Sequence, residues 1–116
     1  MAVLDTETFW ENYSELKDVL PSLIGQFKKS YPESLKKIVD ALSRQDSEAL
    51  RSSAHGLKGM LLQLYAPDSS SLALQLEKLG KEKKFDGATE QFKKLISDLK
   101  LLEAALDEIL KKDLAA

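Results

Sequence analysis

Residues 46–65 read DSEALRSSAHGLKGMLLQLY, and the order of apolar positions in this stretch decides the fold class. Leu50, Ala54, Leu57, Leu61 and Leu64 follow one another at steps of four, three, four and three. That spacing stacks side chains on one face of an α-helix, as a seam toward a partner. A strand would need apolar residues at every second position, and no stretch of the chain alternates that way over strand length. Asp46 or Ser47 is placed to cap the helix, because a short side-chain oxygen accepts backbone N–H groups left free in the first turn. Ala66 and Pro67 stop it after Tyr65. At about 100° per residue, the mean direction of the seam lies roughly 140° from His55. His55 therefore points away from the core, and Arg51, Lys58, Gly59 and Leu62 fall within one turn of it on the outer face.

Working outward, the rest of the chain reads at the same period. Phe9, Tyr13, Leu16, Leu20, Ile24 and Phe27 recur at steps of three and four on consecutive helical turns. Asp5 is the expected N-cap of the first helix, and Pro21 and Pro32 each mark a boundary or a kink. Beyond Pro32, Leu35, Ile38, Val39 and Leu42 are expected to face inward. On the C-terminal side, Asp68 and three serines open a helix carrying Leu72, Leu76 and Leu79, which Gly80 and the run Lys81-Glu82-Lys83-Lys84 wind down. A turn at Phe85-Asp86-Gly87 precedes a long helix with Phe92, Leu95, Ile96, Leu99, Leu102, Leu106 and Ile109. Connections of roughly two to six residues favour antiparallel neighbours. The expected fold is all-α: an antiparallel four-helix bundle, up-down-up-down, with an additional short N-terminal helix. The expected boundaries are 5–14 for the N-terminal helix and about 16–110 for the bundle, with a frayed tail over 111–116.

Composition narrows the function. The 116 residues suit one domain spanning 1–116, with room for a core but not for a large enclosed substrate cavity. Seventeen Lys and Arg stand against nineteen Asp and Glu, a balance that argues against nucleic acid as partner. There is no Cys, which excludes disulfide scaffolds and thiol chemistry, and one His, which excludes sites built from several imidazoles. The N-terminus MAVLDTETFWENY lacks the charged-then-apolar order of a signal peptide, and no apolar run approaches the ~20 residues that span a bilayer. No contact with a membrane and a cytoplasmic location are expected.

The outer face of the 46–65 helix is where chemistry can reside. Taken singly, each member has an ordinary reading: an exposed histidine, solvated surface cations, one exposed leucine. Gly56 and Gly59 fit that reading less well, since a glycine inside a helix costs ~1 kcal/mol relative to alanine. Two of them beside an outward imidazole suggest that something approaches this helix closely. Imidazole is a nucleophile that can carry a covalent group, and Lys58, one turn on, is placed to neutralise a phosphoryl group on His55. The chain has no G-x-x-x-x-G-K-[ST] loop, no kinase glycine loop and no evident magnesium cluster. A phosphoryl group would have to come from another protein and leave to another.

The segment Ala54-His55-Gly56-Leu57-Lys58-Gly59 resembles the A-H-x-L-K-G signature of histidine-containing phosphotransfer (HPt) domains of multistep two-component phosphorelays. The likeness extends to Phe27, to Asp46 in the turn before the active helix, to Leu76-Glu77 with Gly80, and to Phe85-Asp86-Gly87-Ala88. It implies a four-helix bundle with an extra helix. It also implies that His55 takes a phosphoryl group from the aspartyl phosphate of one receiver domain and passes it to the Asp of another. Response-regulator receivers and a hybrid sensor histidine kinase are the implied partners. The receiver would supply Mg²⁺, and this chain would need no cofactor or metal of its own. Lys58 is the implied charge partner, and Gly59 lies in the implied docking surface. Glu77 matches a position where some members carry a polar group that can hold the ring through Nδ1. Met60 stands where many members have Ser or another small residue, and Tyr65 replaces a frequent Gly.

Three other readings compete. One is a bundle of the same ancestry that docks a receiver without relaying phosphate. Another is the phosphoacceptor domain of a chemotaxis-type kinase, which shares the motif but is served by an ATP-binding domain in the same protein. A free-standing enzyme comes last. A monomer is the default, since the outer faces show no dimer stripe. Because an outward side chain packs little, His55→Ala should change the unfolding free energy by less than about 0.5 kcal/mol. Urea denaturation monitored by circular dichroism checks this.

Overall fold

The computed structural model describes residues 3–112 as five α-helices: α1 Thr6–Tyr13, α2 Leu20–Arg44, α3 Ser47–Gln63, α4 Pro67–Lys81 and α5 Ala88–Lys112. Asp5 caps α1, its carboxylate accepting the Thr8 N–H at 3.2 Å. The apolar period that runs from Phe9 to Phe27 is shared by two helices, the expected short leading helix and α2, which starts at Leu20 rather than near residue 16. α1 ends at Tyr13, and turns between Tyr13 and Leu20 leave Leu16 and Val19 exposed. Pro21 explains where α2 begins: in a first turn the missing N–H costs nothing and the fixed φ is already helical. Phe9, Leu20, Ile24 and Phe27 still reach the core from the two helices.

Pro32 breaks nothing. α2 runs through it to Arg44. Pro32 is exposed, so the ladder bond it removes lies on the solvent side of the helix, where water can take the freed carbonyl. Val39, expected inside, is exposed. Its neighbour Ile38 is fully buried, and consecutive helical residues, about 100° apart, cannot both point at one seam. Gln45 closes α2 in the left-handed region at φ 51°.

α3 carries the seam that the sequence spacing marked. Asp46 caps it by accepting the Ala49 N–H at 3.0 Å, and Leu50, Ala54, Leu57, Leu61 and Leu64 are all buried. Tyr65 adopts φ 57° just past its end. A side chain there costs of order 1 kcal/mol or more, and it is held by its surroundings. The Tyr65 carbonyl accepts the Asp5 N–H at 2.7 Å, and the Tyr13 hydroxyl donates to the Gln63 carbonyl at 2.9 Å. The Tyr13 and Tyr65 rings meet edge to face. These contacts strap α1 to the end of α3.

α4 begins at Pro67, one residue before the expected Asp68, and buries Ser69, Ala73, Leu76 and Gly80, while Leu72 and Leu79 are only half-buried. Ser69 donates to Asp98 of α5 at 2.5 Å. α4 winds down over Gly80 and the run that follows, ending at Lys81, and Gly80 has a second part to play, since it lies against the backbone of α3. A Cβ built on Gly80 would sit 2.6 Å from the Arg51 nitrogen, 2.8 Å from the Ser47 oxygen and 2.9 Å from the Arg51 Cα. Here glycine lets two helices touch backbone to backbone.

α3 packs on α4 and on α2, and α5 closes against α4 and, more sparsely, against α2. The thin α2–α5 seam carries polar ties: Lys28 to Asp107 at 2.8 Å, and the Tyr31 hydroxyl donating to Glu103. Burial, with Glu103 as acceptor, pushes the Tyr31 phenol up to about 12. Lys111 and Lys112, expected to fray, are helical, and residues 113–116 of the expected tail lie outside the described residues. Among the described residues no helix is long and apolar enough to cross a membrane.

The glycines separate by what they touch. Gly80→Ala is expected to lower the unfolding free energy by about 2–3 kcal/mol, because two helix backbones must move apart. Gly25→Ala, whose Cβ meets nothing within 4 Å, is expected to raise it by up to about 1 kcal/mol. Urea denaturation of the two variants checks the contrast, and equal effects would contradict the packing.

Candidate functional site

α3 carries His55 on its outer side, and the imidazole is 61% exposed. Its Nδ1 lies 2.9 Å from Oε2 of Glu77, which α4 presents from the facing helix with its side chain only 17% exposed. The other carboxylate oxygen, Oε1, lies 2.6 Å from the Lys58 ammonium, itself 21% exposed. The structure thus brings His55, Lys58 and Glu77 together, with the carboxylate in the middle. The Lys58 ammonium beside Glu77 holds its carboxyl below the usual range. Burial opposes that shift, and the His55 ring reinforces it.

The ionisation of Glu77 sets the state of the ring. A carboxylate offers only acceptors, so Nδ1 must donate the hydrogen bond between them. In the neutral imidazole the proton then resides on Nδ1, and the lone pair is left on Nε2 at the opposite edge of an exposed ring. Such a ring is oriented, in one tautomer, and open to attack an electrophile arriving from solvent. That is the chemistry the arrangement offers.

The remaining sequence candidates sit around it in different ways. Gly59 and Gly56 are exposed, and a Cβ at either would meet nothing within 4 Å, so the helix surface beside the ring is bare. Leu62, one turn further, is 55% exposed. Arg51 does not turn toward the ring. Its guanidinium forks onto Glu48 of its own helix at 3.0 and 2.5 Å. Met60 is half-buried against the core rather than displayed beside the histidine. Lys58 and Leu62 also wall a groove of about 580 Å³ that runs along α3 and α4 past Tyr65, Ala66, Pro67 and Leu74. Sequence reasoning missed the Lys58–Glu77 pair, because the two residues lie on different helices and no periodicity links them. Among the described residues no group of three His, Cys, Asp or Glu side chains gathers to hold a metal ion.

Two measurements test this geometry. Glu77→Ala should move the neutral His55 ring from the Nδ1–H toward the Nε2–H tautomer, read from the imidazole ¹⁵N shifts; unchanged shifts would detach Glu77 from the ring. The lowered carboxyl also couples to stability. Its contribution is present above the ordinary value of 4.5 and is lost as pH falls through the lower folded value. The stability advantage of the parent over Glu77→Gln should therefore be full near neutrality and shrink progressively in acid.

Comparison with known proteins agrees with the fold. The crystal structure of histidine-containing phosphotransfer protein B (HptB) from Pseudomonas aeruginosa PAO1 superposes with a TM-score of 0.89, over 95% of this chain and 96% of that one, at 20% sequence identity. No curated protein sequence matches. The family model for the Hpt domain matches residues 22–112, from the first turn of α2 to the end of α5. Hpt domains work in phosphorelays, where they interact with receiver domains and kinases. With that span matched, the chain belongs to the Hpt domain family, and its role is histidine phosphotransfer in a phosphorelay.

Proposed function

We propose that His55 is the phosphoacceptor, and that it relays a phosphoryl group between the aspartates of two receiver domains. One observation carries this reading: the only imidazole of the chain is exposed, and it is tied at Nδ1 to a carboxylate that leaves Nε2 free. In the first step the Nε2 lone pair attacks phosphorus of the receiver's aspartyl phosphate. The P–O bond breaks, and its electron pair leaves with the aspartate. The ring then carries the phosphoryl group on Nε2 and keeps its proton on Nδ1, so it is cationic, and Glu77 stabilises that charge. In the second step an aspartate oxygen of the other receiver attacks phosphorus, and the P–N bond returns its pair to Nε2.

The other residues serve approach and charge. Lys58, on a flexible stem, can share its ammonium between Glu77 and the incoming phosphoryl oxygens. Gly59 lets the receiver surface come close to the helix, and Leu62 offers apolar contact at the mouth of the α3–α4 groove. Arg51, one turn before the ring, is held by Glu48 and would have to leave that pair to meet a phosphoryl group or the receiver. The chain brings no cofactor; Mg²⁺ arrives bound to the receiver. The proposed partners are response-regulator receivers and a hybrid sensor histidine kinase, met in the cytoplasm by a monomeric single domain.

The proposed arrangement is the up-down-up-down bundle. Lys28 and Tyr31 of α2 meet Asp107 and Glu103 of α5 in reversed order, and His55 and Arg51 of α3 meet Glu77 and Gly80 of α4 likewise. Both pairings support antiparallel neighbours.

Incubation with a panel of phosphorylated receivers tests the function. Acid-labile phosphate is expected on the parent and absent from His55→Ala, and Lys58→Ala is expected to slow transfer by about tenfold. Receivers that bind the parent but never transfer phosphate to it would replace this reading with that of a docking module.

A further inference from the structure

Gly80 is one helical turn from Glu77, and the backbone it touches, at Arg51, is one turn from His55. The two contacts are thus adjacent rungs between the same helices. One is a backbone-to-backbone touch, in which an added Cβ would sit 2.6 Å from the Arg51 nitrogen. The other is the 2.9 Å hydrogen bond between Glu77 Oε2 and His55 Nδ1. No other described glycine presses on a neighbouring helix: Gly25, Gly56 and Gly59 face open space, as does Gly87 in its turn. Among the described glycines, the one backbone-to-backbone helix contact stands beside the His55–Glu77 pair.

We propose that Gly80 is a positioning residue for phosphotransfer: its bare Cα sets the α3–α4 separation at which the Glu77 carboxylate reaches Nδ1 of His55. The proposal rests on His55 as acceptor and on Glu77 as holder of its tautomer. The short reach of Glu77 makes the separation matter. A carboxylate has few side-chain bonds with which to follow a retreating helix, and hydrogen bonds weaken steeply beyond ordinary distance and angle. A methyl group at residue 80 needs roughly 0.4 Å or more of extra room merely to clear the Arg51 nitrogen. Backbone atoms of a helix cannot give that room by a rotamer change, so α4 must move as a body. Glu77 moves with it. Lys58, on a long flexible stem, can follow the carboxylate, whereas the imidazole is fixed close to the α3 backbone. The His55 bond is therefore the one that fails first.

The test is made in a Gly25→Ala background, which adds stability on α2 without touching α3, α4 or the site. Gly80→Ala in that background should retain native helicity and a cooperative unfolding transition. The ¹⁵N shifts of its neutral imidazole should move toward the Nε2–H tautomer, in the same direction as in Glu77→Ala. This reading needs no receiver, so it can fail while phosphotransfer to His55 stands, and the reverse. With a competent phosphorylated receiver, transfer should slow by about tenfold. In a Glu77→Ala background, Gly80→Ala should add no further slowing, because the group it positions is gone. Unchanged ¹⁵N shifts in the folded variant would overturn the proposal. So would equal slowing with and without Glu77. Failure to fold even with Gly25→Ala would show that the contact holds the whole bundle together rather than placing one side chain.

Discussion

A carboxylate shared between an ammonium and an imidazole is the interaction on which this site depends. Glu77 is largely withdrawn from water, and a buried charge without a partner is strongly unfavourable. Lys58 at 2.6 Å makes the charge tolerable, and the charge in turn dictates which nitrogen of His55 holds the proton. The three groups form one electrostatic unit spread over two helices. Its logic also limits Lys58: an ammonium that leaves Glu77 for a phosphoryl group strands the carboxylate, so sharing is favoured over exchange. In the proposed phosphorylated state, the cationic imidazolium would itself help to neutralise Glu77.

Much of this was legible in the amino-acid order, and the failures have physical causes. The seam from Leu50 to Leu64 could be read because burial demands a step of three or four, and the outward direction of His55 followed from the same arithmetic. A short leading helix ending near residue 14 was also legible, but the start of α2 at Leu20 rather than near residue 16 was not, because Phe9 and Leu20 keep the same apolar period across the gap. Pro32 looked like a boundary, yet an exposed proline on a long, well-packed helix removes only a bond that water replaces. Val39 and Ile38 competed for one inward direction, and composition does not say which wins. Glu77 entered through family likeness and not through spacing. Its partner Lys58 lies on another helix, and Gly80 could be read in sequence only as a helix-ending glycine and part of the same likeness. What it touches is a property of the packed pair.

The glycines of α3 and α4 show two uses of the same absent side chain. On α4, Gly80 is buried and lets the α3 backbone in. On α3, Gly56 and Gly59 are exposed and touch nothing, so alanine there would be accommodated and would favour the helix. Stability alone gives no reason to keep them. A surface left bare beside a nucleophile at an energetic loss is the expected trade when another protein must press against that surface.

The straps between α1 and α3 have a mechanical corollary. The Asp5 amide is tied to the Tyr65 carbonyl and the Tyr13 phenol to the Gln63 carbonyl, so the short leading helix hangs on the last turn of the helix that bears the histidine. Tension applied upstream of residue 5 would be borne first by that turn, before it reached the flank of the bundle. An attachment fused ahead of α1 would thus load the C-terminal end of α3, some two turns from the imidazole.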